Sequence, residues 1–411
     1  MTRQQVGWAL VALAGILLLV QLVPAVASAG RSKPAPRVAA LPREGGPTAP
    51  TSDLPAVFRV TRLAPTEQGL MIDRTASGRD LEIVSWQGAL DGRVQLPARE
   101  DSTDGWGLSQ SPDGSRLLDG VLLLDIDGRL RDLSRLIQQP NLYSFTWRDD
   151  SAGACALQLE SDGVASLVEF AFNRGQAELT HYGLPADFGA SGQLARTHSG
   201  VTEKVAPTIL ACSRATRTAV VGIVDLVGAA HVVIVDLVTG AEVGRREYPA
   251  GSASGLVGSR DGRLIALNGG RAQSLQAGPV PHTVVRKLDD GRVVRDFGSD
   301  QVVRSFSSDN LAVLVDSPTR AGTSVVRLRD GAPAWSDTSD RQLLGWIARP
   351  LSSEFALALG RRDTNTCTRG EPGKFPQFCR FQRAQDLVVA SPDGSTRALG
   401  HGLGVWGYQV P

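Results

Sequence analysis

Four cysteines, five histidines and a few glycine-rich or acidic stretches are the residues of this 411-residue chain whose types and spacing bear on chemistry. Cys155, Cys212, Cys367 and Cys379 include no Cys-x-x-Cys pair, which removes zinc-ribbon and dithiol redox readings. Cys367 and Cys379 bracket the hydrophilic stretch TRGEPGKFPQF, a spacing suited to a disulfide outside a reducing compartment. Cys155 and Cys212 stand in two separate apolar runs, where either a second disulfide or two buried thiols fit. His181, His198, His231, His282 and His401 are scattered singly, without the paired spacing that grips one metal ion, so neither a metal nor a cofactor is expected. DIDG at 125–128 places glycine fourth, where a calcium loop needs it sixth and a closing Glu after it, so a hairpin turn is the better reading. Gly402, Gly404 and Gly407 spell GxGxxG with no helix to follow, and the chain has neither a GxSxG elbow nor a GxxxxGK[ST] loop. No catalytic residue is assigned.

The elements around these residues begin with an address. Arg3 precedes the apolar run VGWALVALAGILLLVQLV (6–23), followed by Pro24 and AVASAG. Small residues at Ala27 and Ala29 match a signal-peptidase site before Gly30, so residues 1–29 are read as a cleaved export signal. The alternative is an uncleaved signal anchor, because the 6–23 run is just long enough to span a bilayer as a hydrophobic helix. Residues 30–56, rich in Pro, Gly and Ala, hold too little apolar surface to offset ordering entropy and are read as a disordered linker. The protein is therefore expected outside the cytoplasm, secreted, periplasmic or at the cell surface, touching the membrane only through its N-terminal segment if that segment is uncleaved. With 43 basic against 42 acidic side chains, no overall field favours nucleic acid.

From residue 57 to 411 the chain is short alternating runs divided by turn residues, with no long helical period. SPDGSRLLDGVLLLDIDGRLRDL (111–133) holds three Asp-Gly pairs. Gly takes the positive φ of a tight hairpin, and Asp before it bonds to nearby backbone. Seven hairpins recur, with turn glycines read at Gly92, Gly128, Gly175, Gly240, Gly291, Gly331 and Gly394. Two further strand-like runs precede each, which makes four strands per unit. Four-stranded units that repeat in this way predict an all-β seven-bladed β-propeller, with six or eight blades as alternatives. The tail LGVWGYQVP reads as a last strand that joins the first blade and closes the ring.

SPDGSRLL, SRDGRLIAL and VVIVDLVTGAEVG give the chain a loose resemblance, over residues 57–411, to the WD40-like YVTN and PD40 (TolB-like) propeller repeats of exported bacterial proteins. The resemblance implies fold more than function. The Trp-Asp mark of true WD40 repeats is missing, and Gly-His occurs only once, at Gly400-His401.

Two insertions stand out, at 180–207 and at 361–384, and long loops on a rigid scaffold are where binding usually resides. The second carries Arg361, Arg362, Arg369, Lys374 and Arg380 with Phe375 and Phe378, a cationic and aromatic set suited to an acidic or glycan-like partner, or alternatively a solvated loop. The expected function is a non-catalytic propeller that binds a protein, peptide or envelope polymer. The alternative is a propeller hydrolase or lyase with a metal or carboxylate site in the central channel.

Overall fold

Every element among the described residues is a strand, as the alternating runs require. The structure is a computed structural model that describes residues between 44 and 409: the strands below and, around them, most of 109–159, 165–185, 207–269 and 282–337. In chain order these are β1 (Glu44–Pro50), β2 (Ser52–Asp53), β3 (Gln68–Asp73), β4 (Asp80–Ser85), β5 (Leu90–Gln95), β6 (Ser109–Gln110), β7 (Arg116–Asp119), β8 (Leu122–Asp125) and β9 (Leu130–Asp132). Then follow β10 (Leu142–Trp147), β11 (Gly153–Leu159), β12 (Ala165–Asn173), β13 (Gln176–Gly183), β14 (Arg196–His198), β15 (Val201–Glu203), β16 (Thr208–Ser213), β17 (Thr218–Val224), β18 (Ala230–Asp236) and β19 (Glu242–Tyr248). The rest are β20 (Gly255–Gly258), β21 (Leu264–Asn268), β22 (Val284–Lys287), β23 (Val293–Asp296), β24 (Val302–Phe306), β25 (Ala312–Asp316), β26 (Thr323–Arg327) and β27 (Pro333–Asp337). The chain closes with β28 (Arg341–Ile347), β29 (Ala356–Arg361), β30 (Gln385–Ala390), β31 (Thr396–Gly402) and β32 (Gly404–Gln409).

Consecutive strands pair antiparallel into sheets, and from β6–β9 onward neighbouring sheets in sequence pack on one another, which is the architecture of a β-propeller. The expected count of seven like blades, with its alternatives of six and eight, is corrected: among the described residues the four-stranded blades number five. They are β16–β19, β20–β23, β24–β27, β28–β31 and the sheet ordered β32-β3-β4-β5. Two other sheets have five strands, β2-β9-β8-β7-β6 and β1-β13-β12-β11-β10, and β14–β15 form a hairpin of their own. The extra strands come from the stretch expected to be a disordered linker: β1 pairs with β13 and β2 with β9. Composition gave no sign of this, because EGGPTAP is poor in strand formers and takes its order from an edge already built. The hydrophobic helix expected at 6–23 lies outside the described residues, and among those described no helix is long and apolar enough to cross a membrane. The last strand pairs as expected with an early one, since β32 runs along β3 and completes the four-stranded sheet of β3, β4 and β5.

Strand polarity follows position. In β16–β19, the two inner strands β16 and β17 are buried almost throughout, and outer β19 is largely exposed at its start. A sheet covered on both faces needs continuous apolar strands rather than alternating ones. The β10–β13 sheet shows the two faces separately. Ala154, Ala156, Val168, Phe170, Phe172 and Leu179 pack with Leu118 and Leu123 of the preceding sheet. Cys155, Leu157, Leu167 and Tyr182, offset by one residue, pack with Ile209, Val221 and Val233 of the following one. Trp147 and Trp335 are buried plates at such seams.

The recurring turns divide into types. Along the sequence, the three Asp-Gly pairs of 111–133 fall between β6 and β7, at the end of β7 and between β8 and β9, successive strands of one sheet. Gly240, Gly291 and Gly331 occupy third-to-fourth-strand turns at φ 74°, 73° and 74°, where a side chain is disfavoured. Gly92 is a correction: it lies inside β5, paired with Ile83, and that hairpin turns before Leu90.

Candidate functional site

Turns between first and second strands share a serine and an aspartate two residues on. Ser111, Ser259 and Ser307 donate to Asp113, Asp261 and Asp309 at 2.7, 2.7 and 2.6 Å. The same serine oxygens accept the N–H groups of Arg116, Leu264 and Ala312. Burial alone would raise the Asp113 carboxyl's pKa, but the Ser115 N–H and the hydroxyls of Ser111, Ser115 and Ser151 hold it below its ordinary value. These turns also join neighbouring sheets. The Asp113 N–H donates to Ser151 Oγ, and Asp149 accepts from the Ser213 hydroxyl and the Arg214 N–H.

At this end of the seam between the β10–β13 and β16–β19 sheets lies a cavity of about 350 Å³ lined by Arg148, Asp150, Glu169, Ala171, Glu178, Thr180, Arg214, Leu237 and Val238. Arg148 sits at its centre, its side chain 7% exposed. Its guanidinium forms a two-pronged contact with Asp150 at 2.7 and 2.8 Å and reaches Glu169 at 2.8 Å. Burial works against the Arg148 charge, but the hydrogen bonds and charges of Asp150 and Glu169 outweigh it and raise its pKa. Gly153 makes room for this side chain, because a Cβ there would stand 2.3 Å from the Phe170 carbonyl and 2.9 Å from the Arg148 guanidinium carbon. The Tyr182 hydroxyl lies 2.8 Å from Glu169 Oε2 and 2.6 Å from the Leu237 carbonyl, so one proton serves two acceptors and links the sheets.

Arg214 differs from Arg148. Its backbone is fixed by Asp149, yet among the described residues no acidic side chain pairs with its guanidinium. Arg260 holds the same place in the β20–β21 turn, and burial lowers its pKa.

A second tie crosses the seam deeper down. Cys155 of β11 and Cys212 of β16 form a disulfide with Cα atoms 5.8 Å apart, and both residues are fully buried. Of the two alternatives the sequence left open for this pair, the bond is the one found.

Most of the expected site residues are not among those described. Arg361 ends β29, and Arg362, Cys367, Arg369, Lys374, Phe375, Phe378, Cys379 and Arg380 fall outside the described residues, as do Ala27 and Ala29. In antiparallel sheets the first-to-second and third-to-fourth turns share one end, and the second-to-third turns and inter-sheet connections share the other. The cavity is at the first end, and both long insertions, β13 to β16 and β29 to β30, leave from the second. Sequence reading missed the cavity, although Glu169 within the apolar run ASLVEFAF was a visible sign of a buried charge needing a partner. Among the described residues no group of three or more His, Cys, Asp or Glu side chains is placed to hold a metal ion.

No protein-family model matches the chain, and no curated protein matches it. Among solved structures, the chain is similar to dihydro-heme d1 dehydrogenase NirN, at 15% identity over 92% of this chain and 83% of that one, with a TM-score of 0.46. It is also similar to TolB from Acinetobacter baumannii, at 13% identity over 84% and 83% of the two chains and a TM-score of 0.41. The β-propeller domain of the Trilobed protease from Pyrococcus furiosus is similar at 10% identity over 82% and 88%, TM-score 0.41. Likenesses this distant carry no family, ligand or activity over to this chain. The propeller assignment rests on the strand order itself.

Proposed function

We propose that the protein is an exported, non-catalytic propeller that binds a protein, peptide or envelope polymer, and that the seam cavity is its recognition site. The observation that carries this is the division of roles among the cavity's charges. Arg148, Asp150 and Glu169 satisfy one another, with the Tyr182 hydroxyl on Glu169, so the three form fixed walls rather than groups free to exchange protons with a substrate. Arg214, on the same cavity, presents a guanidinium without an acidic partner among the described residues, suited to a carboxylate or other acidic group. The buried Cys155–Cys212 bond supports an oxidising location; the export signal with small residues at Ala27 and Ala29 and a Cys367–Cys379 bond belong to the same proposal. The stretch that carries Arg361, Arg362, Arg369, Lys374, Phe375, Phe378 and Arg380 is proposed as a second contact surface.

Photo-crosslinking amino acids placed at Val238 and at Phe375 in the living cell test the proposal. A single partner captured at Val238, and lost with Arg214→Glu, is expected. No capture at either position, together with turnover of a small substrate by the purified chain, would overturn it.

A further inference from the structure

The strand β13 does two things at once. Its Glu178 and Thr180 line the seam cavity, and its outer edge pairs with β1. The resident strand is poorly made for that place. Of its seven residues, Pro47 and Pro50 have no N–H to give, and Gly45 and Gly46 lose more freedom on ordering than any other residue. The register slips between Gly45 and Thr48, so Gly46 and Pro47 have no partner on β13. One residue beyond β1, β2 adds only Ser52 and Asp53 to the β9 edge of the neighbouring sheet. The edge itself is well made: β13 pairs in register with β12 over eight residues, and Ala177, Leu179, Thr180 and Tyr182 are buried. A firm edge holding a weak strand from its own chain is suited to exchange, because main-chain pairing asks little of the incoming sequence beyond N–H groups and strand-forming residues.

We infer that the outer edge of β13 is a strand-acceptor site, held in cis by residues 44–50, and that an extended peptide segment of the partner displaces them. This rests on the reading of the seam cavity as the recognition site, since a strand added to β13 lies along the wall formed by Glu178 and Thr180. The partner's segment is expected to be proline-free and rich in β-branched residues.

The probe is a fluorescent synthetic peptide of residues 44–53 carrying Pro47→Val and Pro50→Val, with fluorescence anisotropy as the readout. A disulfide between Ala49→Cys and Ala177→Cys, which are register partners outside the cavity, locks the resident strand in place. The full-length chain and the reduced double variant are expected to bind the peptide at least tenfold more tightly than the oxidised variant. The peptide with its original prolines is expected to bind more weakly than the valine form. Equal binding by oxidised and reduced chains, or binding by neither, would overturn the inference. So would a dimer of the full chain that the lock abolishes, because the incoming strand would then come from a second copy. If peptide binding fails while the Val238 crosslink persists, strand exchange alone falls; if the peptide binds and the crosslink is absent, the recognition reading falls instead.

Discussion

Arg148 and Glu169 are nearly enclosed, with side chains 7% and 10% exposed, so each depends on the other's charge. Replacing Arg148 with Met should therefore cost about 3–5 kcal/mol in urea denaturation, since Glu169 is left buried and unpaired. Adding Glu169→Gln should recover much of that loss; a single variant with under ~1 kcal/mol of effect would contradict the geometry. Asp113 sets a pH dependence with a definite sign. Its folded pKa lies below its ordinary value, so its stabilisation is present above about pH 4 and is lost as pH falls through the folded value. Asp236 is held low in the same sense, against the effect of burial, by the N–H groups of Thr239 and Val238. Acid unfolding followed by tryptophan fluorescence should thus be shallower for Asp113→Asn than for the parent chain. The sequence showed these turns clearly, because Asp-Gly and Ser-x-Asp act within a few residues of chain. It did not show the Arg148 network, whose members are 2 to 34 positions apart (148, 150, 169 and 182) and meet only after β12 and β13 pair.

At the scale of elements, the seams hold the molecule together, and two of them have a feature that can be removed singly. The Cys155–Cys212 bond closes a loop with a sequence separation of 57, which on the chain-entropy account stabilises by about 4 kcal/mol. A Cys155→Ala/Cys212→Ala chain should lose most of that in thermal unfolding, and unchanged stability would mean the bond does not form. Gly258 of β20 approaches the neighbouring sheet so closely that an added Cβ would meet the Leu210 carbonyl at 2.4 Å. Gly258→Ala should lower the melting temperature, whereas alanine at Gly255, with nothing within 4 Å, should not. Hairpins such as that around Gly240 were legible because turn and strand signals are local. The β1 and β2 strands were not, because their order comes from β13 and β9 and hardly from their own residues. Blade counting failed for the same reason: hairpins were found, but the number of strands per sheet depends on edges that sequence spacing does not reveal.

For the whole molecule, closure matters most to stability and the seam cavity most to function. The β32 strand pairs with β3 from Gln68↔Gln409 to Asp73↔Gly404, so the last described strand completes the sheet of β3, β4 and β5. A chain ending at residue 403 should unfold less cooperatively and at lower temperature in calorimetry; an unchanged transition would show that this pairing contributes little. The measurement that bears most directly on the recognition account is electron cryo-microscopy of the complex captured through Val238. The account predicts partner density along β13 and against Arg214, with Arg148, Asp150 and Glu169 still paired to one another. Density confined to the central channel or to the opposite rim, with the seam cavity untouched, would contradict it.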